Sequence, residues 1–190
     1  MSPRGRGRPP GESDARQRLI DTARRRFAAT GYSATSMRAI AKEADVDPSL
    51  IVHYFGSKEG LLAATLELPF NPAERLDSVL AGGVDGLGER LVRTFVTTWD
   101  PHRDTFAMVI RSAMSGDTIG GTVIDVARDV VAERVVGLLG DRLRADLVVA
   151  QVIGLGVARY VVALDPLATA PVDEVAAVYG RAIQTVAAAV

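Results

Sequence analysis

Residues 27–62 read FAATGYSATSMRAIAKEADVDPSLIVHYFGSKEGLL, and this stretch decides the fold. Two segments within it, residues 37–44 and 50–54, carry apolar side chains three or four positions apart, which indicates helices. A residue type that commonly caps helices stands before each of them, Ser36 before the first and Asp47 before the second. Two short helices joined by a tight turn have the layout of a helix-turn-helix.

Three consecutive rings, His53-Tyr54-Phe55, end the second of these helices. Side chains at consecutive helix positions point in different directions, so one core cannot bury all three. At least one of the rings is therefore expected to face water or a partner molecule.

The rest of the chain is also predicted to be helical, because Gly and Pro residues separate blocks with helical apolar spacing. A first helix is predicted from Ser13 to a C-cap at Gly31, and Ser57 caps a fourth helix that stops before Pro69. No strand pair with a hairpin turn is recognisable, so the predicted fold class is all-α. Further helices are predicted near residues 72–81, 84–99, 103–115, 122–139, 142–164 and 172–189.

The composition is that of an ordinary globular protein, with 190 residues of which 48% are hydrophobic and 24% charged. Cysteine is absent, which excludes disulfides, thiolate zinc sites and cysteine nucleophiles and fits a cytoplasmic location. No signal peptide is expected, because no apolar run follows the polar, Arg-rich start. Gln151 and Arg159 interrupt the longest apolar stretch, residues 147–164, which predicts a buried helix and no membrane span.

Charge is distributed unevenly along the chain. Residues 1–60 contain 11 Lys and Arg against 7 Asp and Glu, whereas the other 130 residues contain 11 against 16. A basic head on an acidic body suggests that the head meets a polyanion. The first eleven residues, MSPRGRGRPPG, have too little apolar material to pack, which predicts a flexible basic arm.

A set of residues within the quoted stretch, and not any single one, resembles the DNA-binding domain of TetR-family transcriptional regulators. The resemblance implies an N-terminal three-helix helix-turn-helix domain over residues 13–66, behind an arm over residues 1–12. It also implies a C-terminal helical domain over residues 67–190 that binds a ligand and dimerises. The matching residues are Phe27, Gly31-Tyr32, Thr35-Ser36-x-Arg38-x-Ile40-Ala41, Ala44-x-Val46, Tyr54-Phe55 and Ser57-Lys58-Glu59-x-Leu61.

The resemblance also implies which side chains touch double-stranded DNA. Phe55 would pack inward, while His53 and Tyr54 would face or flank the DNA. The family often has Tyr where this chain has Val52, so an apolar contact with a thymine methyl is expected there in place of a phosphate contact. The predicted DNA-binding residues of this domain are Ser36, Arg38, Pro48, Ser49, Leu50, Val52, His53, Tyr54 and Lys58.

The arm residues Arg4, Arg6 and Arg8 form an Arg-Gly-Arg-Gly-Arg-Pro run that resembles an AT-hook core. Glycine permits close approach to DNA, and arginine favours the negative potential of a narrow A·T minor groove. Nonspecific attraction to phosphates is an equally good interpretation of such a tail.

The C-terminal half is predicted to form a homodimer and to bind a small-molecule effector. Gly154, Gly156 and Ala158 lie in the predicted 142–164 helix and would let another helix approach it closely. The last helix repeats apolar residues at coiled-coil-like spacing. Core packing within one subunit is the alternative explanation of this pattern. Candidate ligand-binding residues are Phe95, Trp99, His102, Phe106 and Arg111.

Two other function classes are alternatives to a ligand-responsive regulator. An enzyme is disfavoured, because His53 and His102 are the only imidazoles and no phosphate loop, HExxH or nucleophile elbow occurs. Neither a cofactor nor a metal ion is expected, although Asp100-x-His102-x-Asp104 has alternating ligand types. An architectural DNA-binding protein without an effector is the second alternative. The sequence names neither the effector nor the operator, and it does not decide between repressor and activator.

Overall fold

The computed structural model describes residues 10–68, 70–115, 122, 125, 126 and 131–189. These residues are helical or loop, with no strand among them, which confirms the all-α prediction. The chain divides into two compact units, one ending at Asn71 and the other beginning at Pro72. The predicted division at residues 66–67 lies shortly before this point. None of the helices among the described residues is long and apolar enough to cross a membrane.

The N-terminal unit contains four helices: α1 (Pro10–Thr30), α2 (Met37–Glu43), α3 (Ser49–Phe55) and α4 (Lys58–Thr65). Helix α1 starts before the predicted Ser13, so residues 10–12 are helical and do not belong to the arm. Proline suits this first position, because its fixed φ is already helical and its missing N–H would have no helical partner.

Local sequence signals end α1 and begin α4 where they were predicted. Gly31 adopts a left-handed φ of 81° and donates its N–H to the Phe27 carbonyl, as a C-cap glycine does. The Ser57 hydroxyl accepts the Gly60 N–H at 3.1 Å and caps α4.

One buried side chain from each helix forms the centre of this unit: Leu19, Ile40, Ile51 and Leu61 are fully inaccessible to solvent. Burying a side chain of this kind stabilises a fold by roughly 1.5–3 kcal/mol relative to leaving it exposed. The short helices α2 and α3 are therefore held by this packing, because seven residues are too few for a stable helix in isolation.

Six helices of the C-terminal unit have both ends among the described residues: α5 (Pro72–Leu80), α6 (Leu87–Trp99), α7 (Arg103–Ser115), α8 (Glu133–Leu139), α9 (Arg142–Gly156) and α10 (Val172–Ala187). A 3₁₀ turn at Asp100–His102 separates α6 from α7, and a π-helical turn at Val157–Val161 continues α9. The predicted helix at 142–164 therefore changes from α-helical to π-helical at Val157. Of the predicted helix at 122–139, residues 122, 125 and 126 are helical and the last part is α8.

Helices α6 and α10 cross at two glycines, and their backbones touch. A Cβ atom on Gly88 would lie 2.0 Å from the Gly180 carbonyl oxygen, so only glycine fits. Gln184 of α10 forms two hydrogen bonds across this crossing. Its side chain accepts the Gly88 N–H and donates to the Val84 carbonyl, both at 3.0 Å. This contact fixes α10 within the unit.

Candidate nucleic-acid interface

Helices α2 and α3 form a helix-turn-helix whose connection runs over residues 44–48. The Ser36 hydroxyl accepts the Ala39 N–H at 3.2 Å and caps α2 as predicted. Helix α3 begins one residue later than expected, with Pro48 in the N-cap position. The Asp47 carboxylate still caps it by accepting the Ser49 N–H at 2.8 Å and the Ser49 hydroxyl at 2.6 Å. These hydrogen bonds lower the pKa of Asp47, so the cap remains ionised at neutral pH.

Helix α3 has a buried face and an exposed face. Ile51 and Phe55 are buried, and the Arg16 guanidinium of α1 lies over the Phe55 ring at 5.3 Å from its centroid. The inward direction predicted for Phe55 is therefore confirmed. Ser49, Val52 and His53 point outward and are exposed. The buried pair anchors the helix, so the outward side chains are presented on a fixed backbone.

The structure places the predicted DNA-binding residues of this unit on α2, α3 and the helix starts beside them. Tyr54 is half-buried between neighbouring rings, with its centroid 5.1 Å from that of His53 and 6.1 Å from that of Phe55. The predicted arm residues Arg4, Arg6 and Arg8 lie outside the described residues. Ser36, Arg38, Pro48, Ser49, Val52 and His53 are exposed, whereas Leu50, Tyr54 and Lys58 are half-buried.

Lys58 has an intramolecular role that its sequence position did not reveal. Its ammonium donates to the Tyr32 carbonyl at 2.6 Å and lies 4.1 Å from the centroid of the Tyr32 ring. Burial lowers the pKa of Lys58. An ammonium has three N–H donors. Lys58 could therefore contact a DNA phosphate while it still donates to the Tyr32 carbonyl, the bond that ties α4 to the α1–α2 loop.

Three consecutive arginines of α1 bind within the N-terminal unit. Arg24 donates twice to the Thr65 carbonyl, at 2.9 and 3.3 Å, and so caps the C-terminal end of α4. Arg26 and Arg25 both bind Glu43 of α2, at 2.7 and 3.3 Å. The hydrogen bond from Arg26, more than any other contact, lowers the pKa of Glu43. Arg25 and Arg26 therefore tie α2 of the helix-turn-helix to α1, and Arg24 ties α4 to α1.

Comparison with known proteins identifies the chain. Residues 19–65 match the family model described as "Bacterial regulatory proteins, tetR family". Residues 85–186, more than half of the chain, match "Tetracyclin repressor-like, C-terminal domain". The chain belongs to the TetR family of transcriptional regulators. Members of this family are generally DNA-binding transcription factors and not enzymes.

Individual relatives are also transcriptional regulators. A TetR-family regulator from Streptomyces coelicolor A3 is 38% identical, with 97% of this chain and 100% of that chain covered and a TM-score of 0.50. The HTH-type transcriptional regulator HbdR of Aromatoleum sp. (strain CIB) is 30% identical over 54% of this chain. The HTH-type transcriptional regulator BetI of Rhizobium meliloti (strain 1021) is 49% identical over 27% of this chain. The chain spans 46% and 25% of the lengths of these last two proteins.

In the C-terminal unit of this TetR-family chain, three of the predicted ligand-binding residues cluster. The Phe106 ring lies 5.6 Å from that of Phe95 and 5.0 Å from that of Trp99, measured between centroids. Tyr160 of the π-helical turn, which sequence reasoning missed, joins them at 5.3 Å from Phe106. The other two candidates are His102, half-buried on the 3₁₀ turn, and Arg111, exposed on α7.

The glycines predicted to mediate helix contact in α9 have different surroundings. Gly154 is exposed, and a Cβ added to it would meet nothing within 4 Å. Gly156 is buried, and a Cβ there would lie 2.4 Å from Phe106 and 2.7 Å from Phe95. The expectation that Gly156 permits contact with another subunit is therefore wrong, because the aromatic cluster of its own unit occupies that space.

An ion pair between a buried arginine and a partly buried aspartate lies beside the aromatic cluster. Arg159, only 4% exposed, donates through Nε and Nη2 to the two carboxylate oxygens of Asp100, at 2.9 Å each, and through Nη1 to the Leu167 carbonyl. The Tyr160 hydroxyl donates to the same carboxylate at 2.9 Å. Burial opposes ionisation of Asp100, but the hydrogen bonds from Arg159 and Tyr160 outweigh it and lower the Asp100 pKa.

The same contacts keep the Tyr160 hydroxyl protonated. Burial, followed by the hydrogen bond to Asp100, raises the Tyr160 pKa well above its ordinary value. Asp100, the first residue of the alternating Asp100-x-His102-x-Asp104 motif, is therefore paired with Arg159. Among the described residues, no three His, Asp or Glu side chains lie close enough together to hold a metal ion.

Proposed function

We propose that this protein is a transcriptional repressor that binds a palindromic operator as a homodimer and is released by a small-molecule effector. The exposed face of α3 carries the proposal. Ser49, Val52 and His53 point outward there, while Ile51 and Phe55 anchor the helix from behind. A short helix held in this way matches the width of the major groove, and its N-terminal half would reach base edges.

The other predicted residues would position the helix on the DNA backbone. The Ser36 hydroxyl accepts a backbone N–H as the α2 cap, so its own hydrogen remains available for a phosphate oxygen. Arg38, two residues further along the chain and exposed, has a planar, charged guanidinium that suits phosphate or a guanine edge. Contacts with phosphate would fix the register and orientation of the protein on the DNA, while His53 and its neighbours on α3 would read bases.

Replacing Arg38 or His53 with alanine should lower operator affinity by at least about tenfold each, because each change removes a contact to phosphate or base. Neither change should unfold the protein, since both side chains are exposed. Fluorescence anisotropy on an operator recovered from random duplexes measures the effect. Arg75→Ala on α5 is the matched control, because it removes an exposed arginine outside this surface. Wild-type affinity in both the Arg38 and His53 variants would overturn the site assignment.

An exposed apolar face on α9 and α10 supports the homodimer. Leu147, Ile153 and Val178 are 45%, 36% and 60% exposed, and Gly154 leaves open space beside them on α9. The predicted α10 repeat divides between two faces, because Val175 and Ile183 are buried within the unit while Val178 is not. Two such faces related by a twofold axis would bury each other, and twofold symmetry would match a palindromic operator.

Val178→Glu should shift the protein from dimer to monomer, because each interface would then bury two uncompensated carboxylates. Sedimentation equilibrium at micromolar concentration measures the change. Met108→Glu on α7 is the control, since it places the same charge on a side chain that is 50% exposed. A dimeric Val178→Glu variant, or a monomeric wild type, would contradict the proposed interface.

The effector would bind in the C-terminal unit, near the cluster of Phe95, Trp99 and Phe106. Aromatic side chains with a few fixed polar groups are the usual lining of small-molecule sites. Effector binding would favour a dimer in which the two α3 helices no longer match successive major grooves, on the order of 34–36 Å apart. The regulator would act in the cytoplasm, where its operator DNA is found.

A further inference from the structure

Val52 is the one large apolar side chain that is exposed among residues 14–68, 70 and 71 of the N-terminal unit, with 54% of its surface accessible. The other large apolar side chains of these residues are buried or half-buried. An isolated exposed valine elsewhere on a surface would need no explanation. This one lies at the centre of α3, on the face proposed to enter the major groove.

The position of Val52 on α3 is fixed. Ile51 on one side of it in sequence is fully buried, and Phe55 is held beneath Arg16, so the helix cannot rotate about its axis without exposing both. Ser49 lies one turn before Val52, and His53 follows it. Valine is branched at Cβ and has one strongly preferred rotamer in a helix. Its two methyl groups are therefore presented in a defined direction between two polar side chains.

We propose that Val52 recognises the C5 methyl group of a thymine at one position in each operator half-site. The inference rests on the proposed function, because it requires α3 to lie in the major groove. Among the base edges in that groove, thymine alone offers a methyl group; the other bases present hydrogen-bond donors and acceptors there. Contact with the methyl group removes apolar surface of both partners from water. A cytosine at the same position has only a hydrogen at C5, so the methyl contact would be missing. Its neighbouring amino donor would lose water beside valine without gaining an acceptor.

The test uses the full-length protein and an operator selected from a library of random DNA duplexes. Each thymine of the selected operator is replaced in turn by deoxyuridine, which deletes the methyl group and leaves base pairing unchanged. At one thymine of each half-site, the replacement should weaken binding about fourfold, as expected for one lost methyl contact. Replacement in both half-sites at once should weaken it on the order of fifteenfold. Thymines outside the half-sites serve as controls.

The Val52→Ala variant completes a double-mutant cycle. It should bind the thymine operator more weakly than the wild type does and should lose nothing further from the deoxyuridine replacement. Its melting temperature should match that of the wild type, because Val52 is exposed. Tight binding of the wild type that no single deoxyuridine weakens would overturn the inference, as would an operator without thymine in its half-sites. An equal loss in Val52→Ala would assign the methyl contact to another residue.

These outcomes separate the inference from the function on which it rests. If selection enriches no sequence, the proposed function and the thymine contact are both overturned. If selection yields an operator that binds tightly but is indifferent to thymine methyl groups, the proposed function stands and only the role of Val52 is rejected.

Discussion

Gly88→Ala should destabilise the C-terminal unit by about 3 kcal/mol, the upper end of what overpacking usually costs. The added Cβ would lie 2.0 Å from the Gly180 carbonyl oxygen and 2.7 Å from the Gln184 nitrogen, and both obstacles are backbone atoms. Helices α6 and α10 must separate to admit it, which also breaks the hydrogen bond from the Gly88 N–H to Gln184.

Gly137→Ala on α8 is the matched control for this change. Gly137 is also a helical glycine, but it is exposed and a Cβ there meets nothing within 4 Å. Alanine favours the helix over glycine by about 1 kcal/mol, so this variant should be as stable as the wild type or slightly more stable. Urea unfolding followed by circular dichroism measures both variants. Equal midpoints for Gly88→Ala and Gly137→Ala would show that α6 and α10 do not touch at Gly88 and Gly180.

Asp100→Asn should destabilise the protein by about 3 kcal/mol, the lower end of the range for breaking a buried ion pair. Arg159 is buried and loses its counter-charge, whereas 27% of the Asp100 side chain is exposed to water. Asparagine keeps the shape of the side chain, so the loss reports charge and hydrogen bonding more than packing. Asp173→Asn is the control, since Asp173, whose side chain is 86% exposed, pairs with Arg93, 43% exposed, at the surface. A surface pair contributes at most about 1 kcal/mol. Similar urea midpoints for the two variants would contradict the claim that the Asp100–Arg159 pair stabilises the fold more than a surface pair does.

The Asp100 pair also predicts an acid-sensitive component of stability. The folded-state pKa of Asp100 lies below its ordinary value of 3.8. Its contribution is therefore complete above that value and is lost as the pH falls below it toward the folded-state pKa. The wild type should lose its advantage over Asp100→Asn in this acidic window and retain it at neutral pH. Urea titrations at several pH values provide the measurement.

Sequence patterns predicted the N-terminal unit well because its signals are local. The caps Ser36 and Ser57 each accept an N–H three residues ahead, and a sequence displays such short-range pairs directly. The resemblance to the TetR family implied that Val52 faces outward and Phe55 inward, and the structure has Val52 exposed and Phe55 buried. Local signals also explain the error at the start of α1, where Pro10 was assigned to the arm although proline is common in a first helical turn.

Contacts between distant residues could not be predicted. Arg159 and Asp100 are 59 positions apart, and the π-helical turn that brings Arg159 and Tyr160 to one carboxylate has no sequence signature. The two glycines at the crossing of α6 and α10 add no periodic apolar pattern to the sequence. The close backbone contact at Gly88 was therefore not predicted. Lys58 was predicted to bind DNA from its position in the motif. Its contact with the Tyr32 carbonyl, 26 residues away in the chain, was not predicted.

Binding of the wild-type protein to the DNA immediately upstream of its own gene tests the central claim most directly. Fluorescence anisotropy against this duplex, with scrambled competitor across a salt series, separates recognition from electrostatic attraction. A sequence-specific regulator that controls its own gene should keep nanomolar-range binding at physiological salt in excess competitor. Weak binding that falls steeply with salt, and is equal for the upstream and scrambled duplexes, would contradict the account.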